Sequence, residues 1–402
     1  MPNPSLQTRK HIFSKISSKE AAKLVQDMVR KPSVNPPGNE AEVAKYLAEK
    51  MREIGLDVET FEIMPHRPNV IGRLKGEKGH PILMLNGHLD VVPPGNTELW
   101  TVEPFGGEIR DGRVHGRGSA DMKGGLAAMF LAAKALKESD VSLKGDLLLT
   151  AVVDEEVTGS GAQGLIDRGY TADMAVVAEP TELSPVRAHK GLLWLEISTA
   201  GKAVHSSRVS SRGASGEVNA VYKMAKILDA LQTYLIELEK RDDPLVGNPT
   251  VSVGTITGGS KTNMVPDRCS ITVDRRLLPH ESSDDAKAEV EDILRRLRKE
   301  DPSLKTELKV VLSREGAVTG IDEQVVHLSK EAAEEVLGTE VEVSGSPATS
   351  DMTIFVNQAS IPTVLLGPGR LGTAHITDEY VEVDQVVGAA KIFALMALKA
   401  LG

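Results

Sequence analysis

The run Asp146-Leu147-Leu148-Leu149-Thr150-Ala151-Val152-Val153 leads directly into Asp154-Glu155-Glu156. Its apolar residues do not alternate with polar ones, and a short run that is apolar on both sides of its backbone predicts a strand buried on both faces. Such strands belong to sheets covered by helices. A helical pattern over residues 161–168 follows, then a second buried strand over 174–177 that ends in Ala178-Glu179-Pro180-Thr181. Strand, helix and strand, with acids gathered at the strands' carboxyl ends, is the arrangement in which open α/β sheets place their sites. Upstream, Met84-Leu85-Asn86-Gly87-His88-Leu89-Asp90 also ends an apolar strand in polar side chains. Alternation along a strand places His88 and Asp90 on one face, a geometry that suits a metal ligand with a carboxylate behind it.

The whole composition narrows the function classes. A chain of 402 residues can hold two or three domains, each with its own core. Net charge is -10, and the Lys and Arg residues are scattered, which argues against nucleic acid or an anionic membrane surface as partner. The single cysteine, Cys269, cannot form an intrachain disulfide, and residues 1–16 contain no apolar h-region, so a cytoplasmic location is expected. No run reaches the ~18 apolar residues of a membrane span, since residues 124–133 are too few and are followed by Lys134. Aromatic residues make up 3% of the chain, so the core must be aliphatic.

Helices are expected from Ser18 to the Pro32 stop and over 40–54, then strands over 58–63, 69–74 and 81–85. Asp121 stands in the glycine-rich bend Gly116-Arg117-Gly118-Ser119-Ala120-Asp121-Met122-Lys123-Gly124-Gly125, just before a helix over 126–136. From residue 187 the rhythm changes to strand 192–199, helix 217–238, strands 250–256 and 269–277, helix 285–298 and strand 306–312. That order predicts a separate α+β domain of ferredoxin-like character, residues 187–312, inserted into an α/β catalytic domain formed by 1–186 and 313–402. The catalytic domain resumes with helix 323–336, strand 340–343, a short helix after Asp351, strand 363–366 and helix 383–401. The fold class is therefore α/β, a mixed sheet with helices on both faces and an inserted α+β domain.

His88, Asp90, Asp121, Glu155, Glu156, Glu179 and His375 occupy strand ends and cleft-prone bends of the outer domain. Singly, each acid reads as a solvated strand end or a helix cap, and each His as an ordinary loop residue. Jointly, two imidazoles and five carboxylates are the mixture that holds two divalent ions of zinc type with one carboxylate bridging. Gathering so many acids without a cation would push their pKa values up and cost several kcal/mol per uncompensated charge.

Gly87-His88-Leu89-Asp90-Val91-Val92-Pro93, the Asp121 bend, Asp154-Glu155-Glu156, Ala178-Glu179-Pro180-Thr181 and Gly372-Thr373-Ala374-His375 resemble, in order, the signature blocks of the co-catalytic zinc deacylase and peptidase family. That family includes acetylornithine deacetylase, succinyl-diaminopimelate desuccinylase, aminoacylase and glutamate carboxypeptidase. The resemblance implies that His88 and Glu179 bind one zinc and Glu156 and His375 the other, with Asp121 bridging and Asp90 orienting His88. Cobalt or manganese would suit the same ligands. It places Glu155 outside the ligand set, as the base that takes a proton from a metal-bridging water and passes it to the leaving amine. In the insert, His205 matches a lid histidine that stabilises the oxyanion in a neighbouring subunit's site, which implies a homodimer through the insert. Asn263 and Arg276 resemble the groups that hold the substrate carboxylate. Arg275 would point to the other face of the strand, and a one-residue shift of register would exchange the two. Met122 departs from members that carry a second acid after the bridging Asp.

The expected function is metal-dependent hydrolysis of the amide bond of an N-acyl amino acid, of the acetylornithine or succinyl-diaminopimelate type. The rivals are a carboxypeptidase or dipeptidase of the same family and a catalytically silent binding protein. A Ser nucleophile is disfavoured, because no Gly-x-Ser-x-Gly elbow is present and the strand-end acids would be left unexplained.

Overall fold

A computed structural model describes residues 5–209 and 218–402. The chain forms two compact units, one of residues 1–187, 318–344 and 350–402 and the other of residues 188–317 and 345–349. The second crossing comes past residue 312 because the strand Lys305–Arg314 outruns its apolar pattern.

The first unit is built on a mixed sheet. From one edge its strands are Asp57–Met64, Arg67–Leu74, Gly145–Val152, Gly79–His88, Met174–Val177 and Thr363–Leu365, and it ends in the short strands Val186–His189, Ala317–Val318 and Ser344–Ser346 at the chain crossings. Every residue of Gly145–Val152 and of Met174–Val177 is buried, as unalternating apolar strands require. Both run parallel to Gly79–His88 and flank it. The helix Val383–Leu401 is apolar on all sides and correspondingly buried, packing with Gly124–Glu138, Gln324–Leu337 and Ser18–Val29 in an aliphatic core. The helices Ser160–Asp167 and Met352–Ala359 pack on each other apart from that core. No helix among the described residues is long and apolar enough to cross a membrane.

The second unit has its own core and a four-stranded antiparallel sheet. Its order in the chain is strand Gly191–Ala200, helix Ala220–Leu238, strands Thr250–Gly258 and Arg268–Leu277, helix Ser283–Glu300 and strand Lys305–Arg314. In the sheet, Thr250–Gly258 and Lys305–Arg314 are the edges, with Arg268–Leu277 and Gly191–Ala200 between them, which is the ferredoxin-like arrangement. The first of these helices is capped by the Asn219 side chain, which accepts from the Val221 and Tyr222 N–H groups. Its expected start at Glu217 lies outside the described residues. Cys269 is buried in this core.

Several local expectations fail for physical reasons. Residues 340–343 are irregular and the strand is Ser344–Ser346. Ser18 lies inside its helix, preceded by Ser17, which makes no side-chain cap. A helix at Leu6–Phe13, capped by Ser5, escapes sequence reading because it is short and weakly amphipathic. A small sheet of Glu108–Arg110, Arg113–His115 and Tyr380–Glu382 joins segments distant in sequence, each too short to show periodicity.

One close approach in the first unit positions the site. A Cβ on Gly125 would sit 2.2 Å from the Ala178 carbonyl oxygen, immediately before Glu179. Gly125→Ala should therefore lower stability by about 1–3 kcal/mol, read as a lower urea midpoint at unchanged m, because neither backbone can yield.

Candidate metal centre

Parallel pairing collects the site. In the sheet His88 lies opposite Val152, and Asn86 lies opposite Val177, so the chain segments bearing Glu155, Glu156 and Glu179 leave their strands beside His88. Asp121 arrives from the tight turn Ser119–Lys123 ahead of the helix Gly124–Glu138. His375 arrives from the loop before Tyr380–Glu382, held at a positive φ of 61°.

Asp121 lies between the two imidazoles. Its Oδ1 is 2.9 Å from His88 Nε2, and its Oδ2 is 3.3 Å from His375 Nε2. His88 Nε2 is also 3.8 Å from Glu179, and His375 Nε2 is 3.2 Å from Glu156. Donor atoms of His88, Asp121 and Glu156 lie within 4.8 Å of one another, as do those of His88, Glu155 and Glu179. Glu155 thus comes as near to a possible ion as the residues assigned to hold one.

The electrostatics are those of a site short of positive charge. Burial, followed by the Asp121 charge, raises the Glu156 carboxyl to about 7 and pushes Glu179 well above the carboxylate range. Burial would raise Asp121 too, but the His375 and His88 imidazoles bonded to it hold it below that range. The same contact with Asp121, then Glu156, raises His375 to about 11. Burial works against charge on His88, yet Asp121 and Glu179 keep its pKa high. Carboxylates that cannot all be ionised together, with imidazole nitrogens aimed among them, form a donor set that fits divalent cations.

Asp90 is fully buried. The His88 Nδ1 atom lies 2.9 Å from the Asp90 backbone carbonyl oxygen and 3.6 Å from the Asp90 carboxylate. The carboxylate instead accepts from the Glu155 and Glu156 N–H groups, both at 3.1 Å, and from Asn35 Nδ2 at 2.8 Å. Asn35 Nδ2 also reaches Asp154, whose positive φ of 69° turns the chain into Glu155. Arg67 joins Asp154, at 3.0 Å, to the buried Glu40. Asn35, Arg67 and Glu40 are therefore supporting residues that sequence reading missed. The Asn-Pro-Pro-Gly stretch signalled only a turn, and nothing local marks a side chain that will be buried under a distant acid.

In the second unit, His205 and Asn263 are neighbours, with His205 Nε2 3.5 Å from Asn263 Nδ2 and the Ser206 N–H donating to the Asn263 carbonyl. Arg275 and Arg276 point opposite ways. Arg275 is fully buried and pairs with Glu281, whereas Arg276 is partly exposed beside Asp274. Only the second guanidinium is open to a ligand.

A family model described as Peptidase family M20/M25/M40 matches residues 84–399, and the chain belongs to that family. It is 31% identical over 402 residues to the N-formyl-4-amino-5-aminomethyl-2-methylpyrimidine deformylase of Halalkalibacterium halodurans, covering 93% of each chain. It is 29% identical to a probable succinyl-diaminopimelate desuccinylase of Staphylococcus aureus, covering 96% of this chain and 98% of that one. The M20 family metallo-carboxypeptidase of Sulfolobus solfataricus has the same fold, with a TM-score of 0.79 at 22% identity over 94% of this chain and 98% of the other. The chain is thus a hydrolase of this family.

Because an ion binds only the folded site, zinc or cobalt at about 100 times its Kd should stabilise the fold by about 2.7 kcal/mol. The rise in melting temperature should be lost in Asp121→Ala and reduced in His88→Ala, which differential scanning fluorimetry will show.

Proposed function

We propose that this chain hydrolyses the amide bond of an N-acyl amino acid, removing the acyl group at a centre of two divalent ions. The observation that carries the reading is Asp121 placed between the His88 and His375 imidazoles, with Glu155 on the adjoining turn. In this reading His88 and Glu179 would hold one ion and Glu156 and His375 the other, with Asp121 available to both. Zinc is the first choice and cobalt or manganese the others. Such ions would lower the proton affinity of a water and polarise the scissile carbonyl. Glu155 accepts the proton of that water and delivers it to the leaving nitrogen. Asp90 holds Glu155 in place through the backbone N–H groups of the turn. Both sequence relatives carry names that describe loss of an acyl group, which favours deacylation over peptide cleavage.

In the inserted unit, Arg276 and Asn263 bind the substrate carboxylate, and His205 stabilises the oxyanion of a neighbouring subunit's substrate in a homodimer. Arg suits the carboxylate because its planar fork makes two parallel hydrogen bonds.

A panel of N-acetyl, N-succinyl and N-formyl substrates and dipeptides, assayed with added zinc or cobalt, tests the reaction. Hydrolysis of dipeptides alone would replace deacylase by dipeptidase, and no turnover by the metal-loaded protein would favour the silent binding protein. Glu155→Gln should lose turnover by about 10³-fold or more while keeping its metal. Loss of metal in that variant would instead make Glu155 a ligand. Arg276→Met should raise KM for a carboxylate-bearing substrate about 10–100-fold without loss of stability, whereas Arg275→Met should unfold at lower denaturant because Glu281 loses its buried guanidinium partner and keeps only Arg241.

A further inference from the structure

Glu379, four residues beyond His375, has no part in the donor set, and its side chain is fully buried. One of its carboxylate oxygens accepts from the Ala120 N–H at 2.9 Å and the Asp121 N–H at 3.0 Å. The other accepts from the buried Arg117 guanidinium at 2.5 Å. Its backbone carbonyl accepts from the Gly116 N–H at 2.8 Å. The residues around it are clamped in the same direction. Asp378 accepts from the Thr101 N–H and hydroxyl, and Tyr380–Glu382 pairs with Arg113–His115.

We propose that Glu379 is a positioning residue that spaces the Asp121 turn against the His375 loop and thereby sets the affinity of the ion those two residues share with Glu156. The inference rests on the two-ion reading given above. Asp121 and Glu379 are 258 positions apart, so chain connectivity does nothing to hold their segments together. A carboxylate that binds the peptide N–H of Asp121 governs the tilt of that peptide and with it the direction of the Asp121 side chain. Metal ligands tolerate displacements of only about 0.2 Å, so a small rotation there costs binding. The Arg117 guanidinium, buried beside it, supplies the counter-charge to this carboxylate. The ion between His88 and Glu179 shares only Asp121 with these two segments and takes its other ligands from the ends of the parallel strands, so a displacement of the Asp121 turn against the His375 loop weakens it less.

The test is calorimetric titration of zinc into chelator-stripped wild type and Glu379→Gln, with circular dichroism as the check on folding. Gln keeps the size but lacks the charge and one acceptor. One ion should bind the variant about 10–100-fold more weakly and the other, which has only Asp121 in common with it, no more than about a few-fold more weakly, and excess zinc should restore kcat at unchanged KM. A merely structural role would weaken both ions equally or neither. A folded Glu379→Gln with both affinities within about threefold of wild type overturns the proposal. Should that variant not fold, Arg117→Lys takes its place: selective weakening of one ion supports the proposal, and unchanged binding overturns it. Wild type binding no divalent ion would overturn the two-ion reading itself, and the role of Glu379 with it.

Discussion

Repulsion among buried acids is the constraint around which the first unit is arranged. Asp90, Asp121, Glu155, Glu156 and Glu179 converge within a few ångströms of His88, and burial raises the pKa of Asp90, Glu156 and Glu179. Water would screen such a cluster at the surface, but at the end of a covered sheet it must be compensated locally. Two imidazoles reduce the repulsion, and their contacts hold the Asp121 carboxyl below the usual carboxylate range while raising His375. The arrangement persists because rigid elements impose it. Strands buried on both faces cannot slide, and the large aliphatic core behind them holds their carboxyl ends together.

Support for the site is itself polar and buried, and it comes from outside the strands that carry the ligands. Asp90 uses its carboxylate on the turn bearing Glu155 and Glu156 and its carbonyl on His88, so one residue ties two parts of the site. Asn35 separates and Arg67 neutralises the acids behind it, and behind Asp121 the Arg117 guanidinium neutralises Glu379. The buried acids behind the centre, Asp90, Asp154 and Glu379, are each met by a guanidinium, an amide or a backbone N–H. That pattern lets the donor atoms stay close without an extended hydration shell.

Much of this was legible beforehand because it rests on local pattern. Nearly continuous apolar runs over 147–153 and Met174–Val177 mark buried strands, and acids just after them mark strand ends. Alternation separated Arg275 from Arg276, and the structure leaves only Arg276 open. Patterns failed where elements are shorter than a period, as in the three-residue strands near Asp121 and His375, and where a polar side chain is buried by a partner far along the chain. Nothing local marks Asn35, in its Asn-Pro-Pro-Gly stretch, or Glu379 as a residue that will be buried, since burial is not a local property.

By itself, then, the amino-acid sequence determined the two kinds of domain, the order of their longer elements and which acids and histidines stand at strand ends and bends, because period, glycine and strand-end chemistry are written within a few positions. Only the tertiary structure decided which Asp121 oxygen meets which imidazole, that Asp90 grips the Glu155 turn through its carboxylate, and that Glu379 stands behind Asp121. Those contacts join residues tens to hundreds of positions apart. They exist because the sheet brings their segments together, and the free energy that holds them belongs to the assembled core rather than to any short stretch of chain.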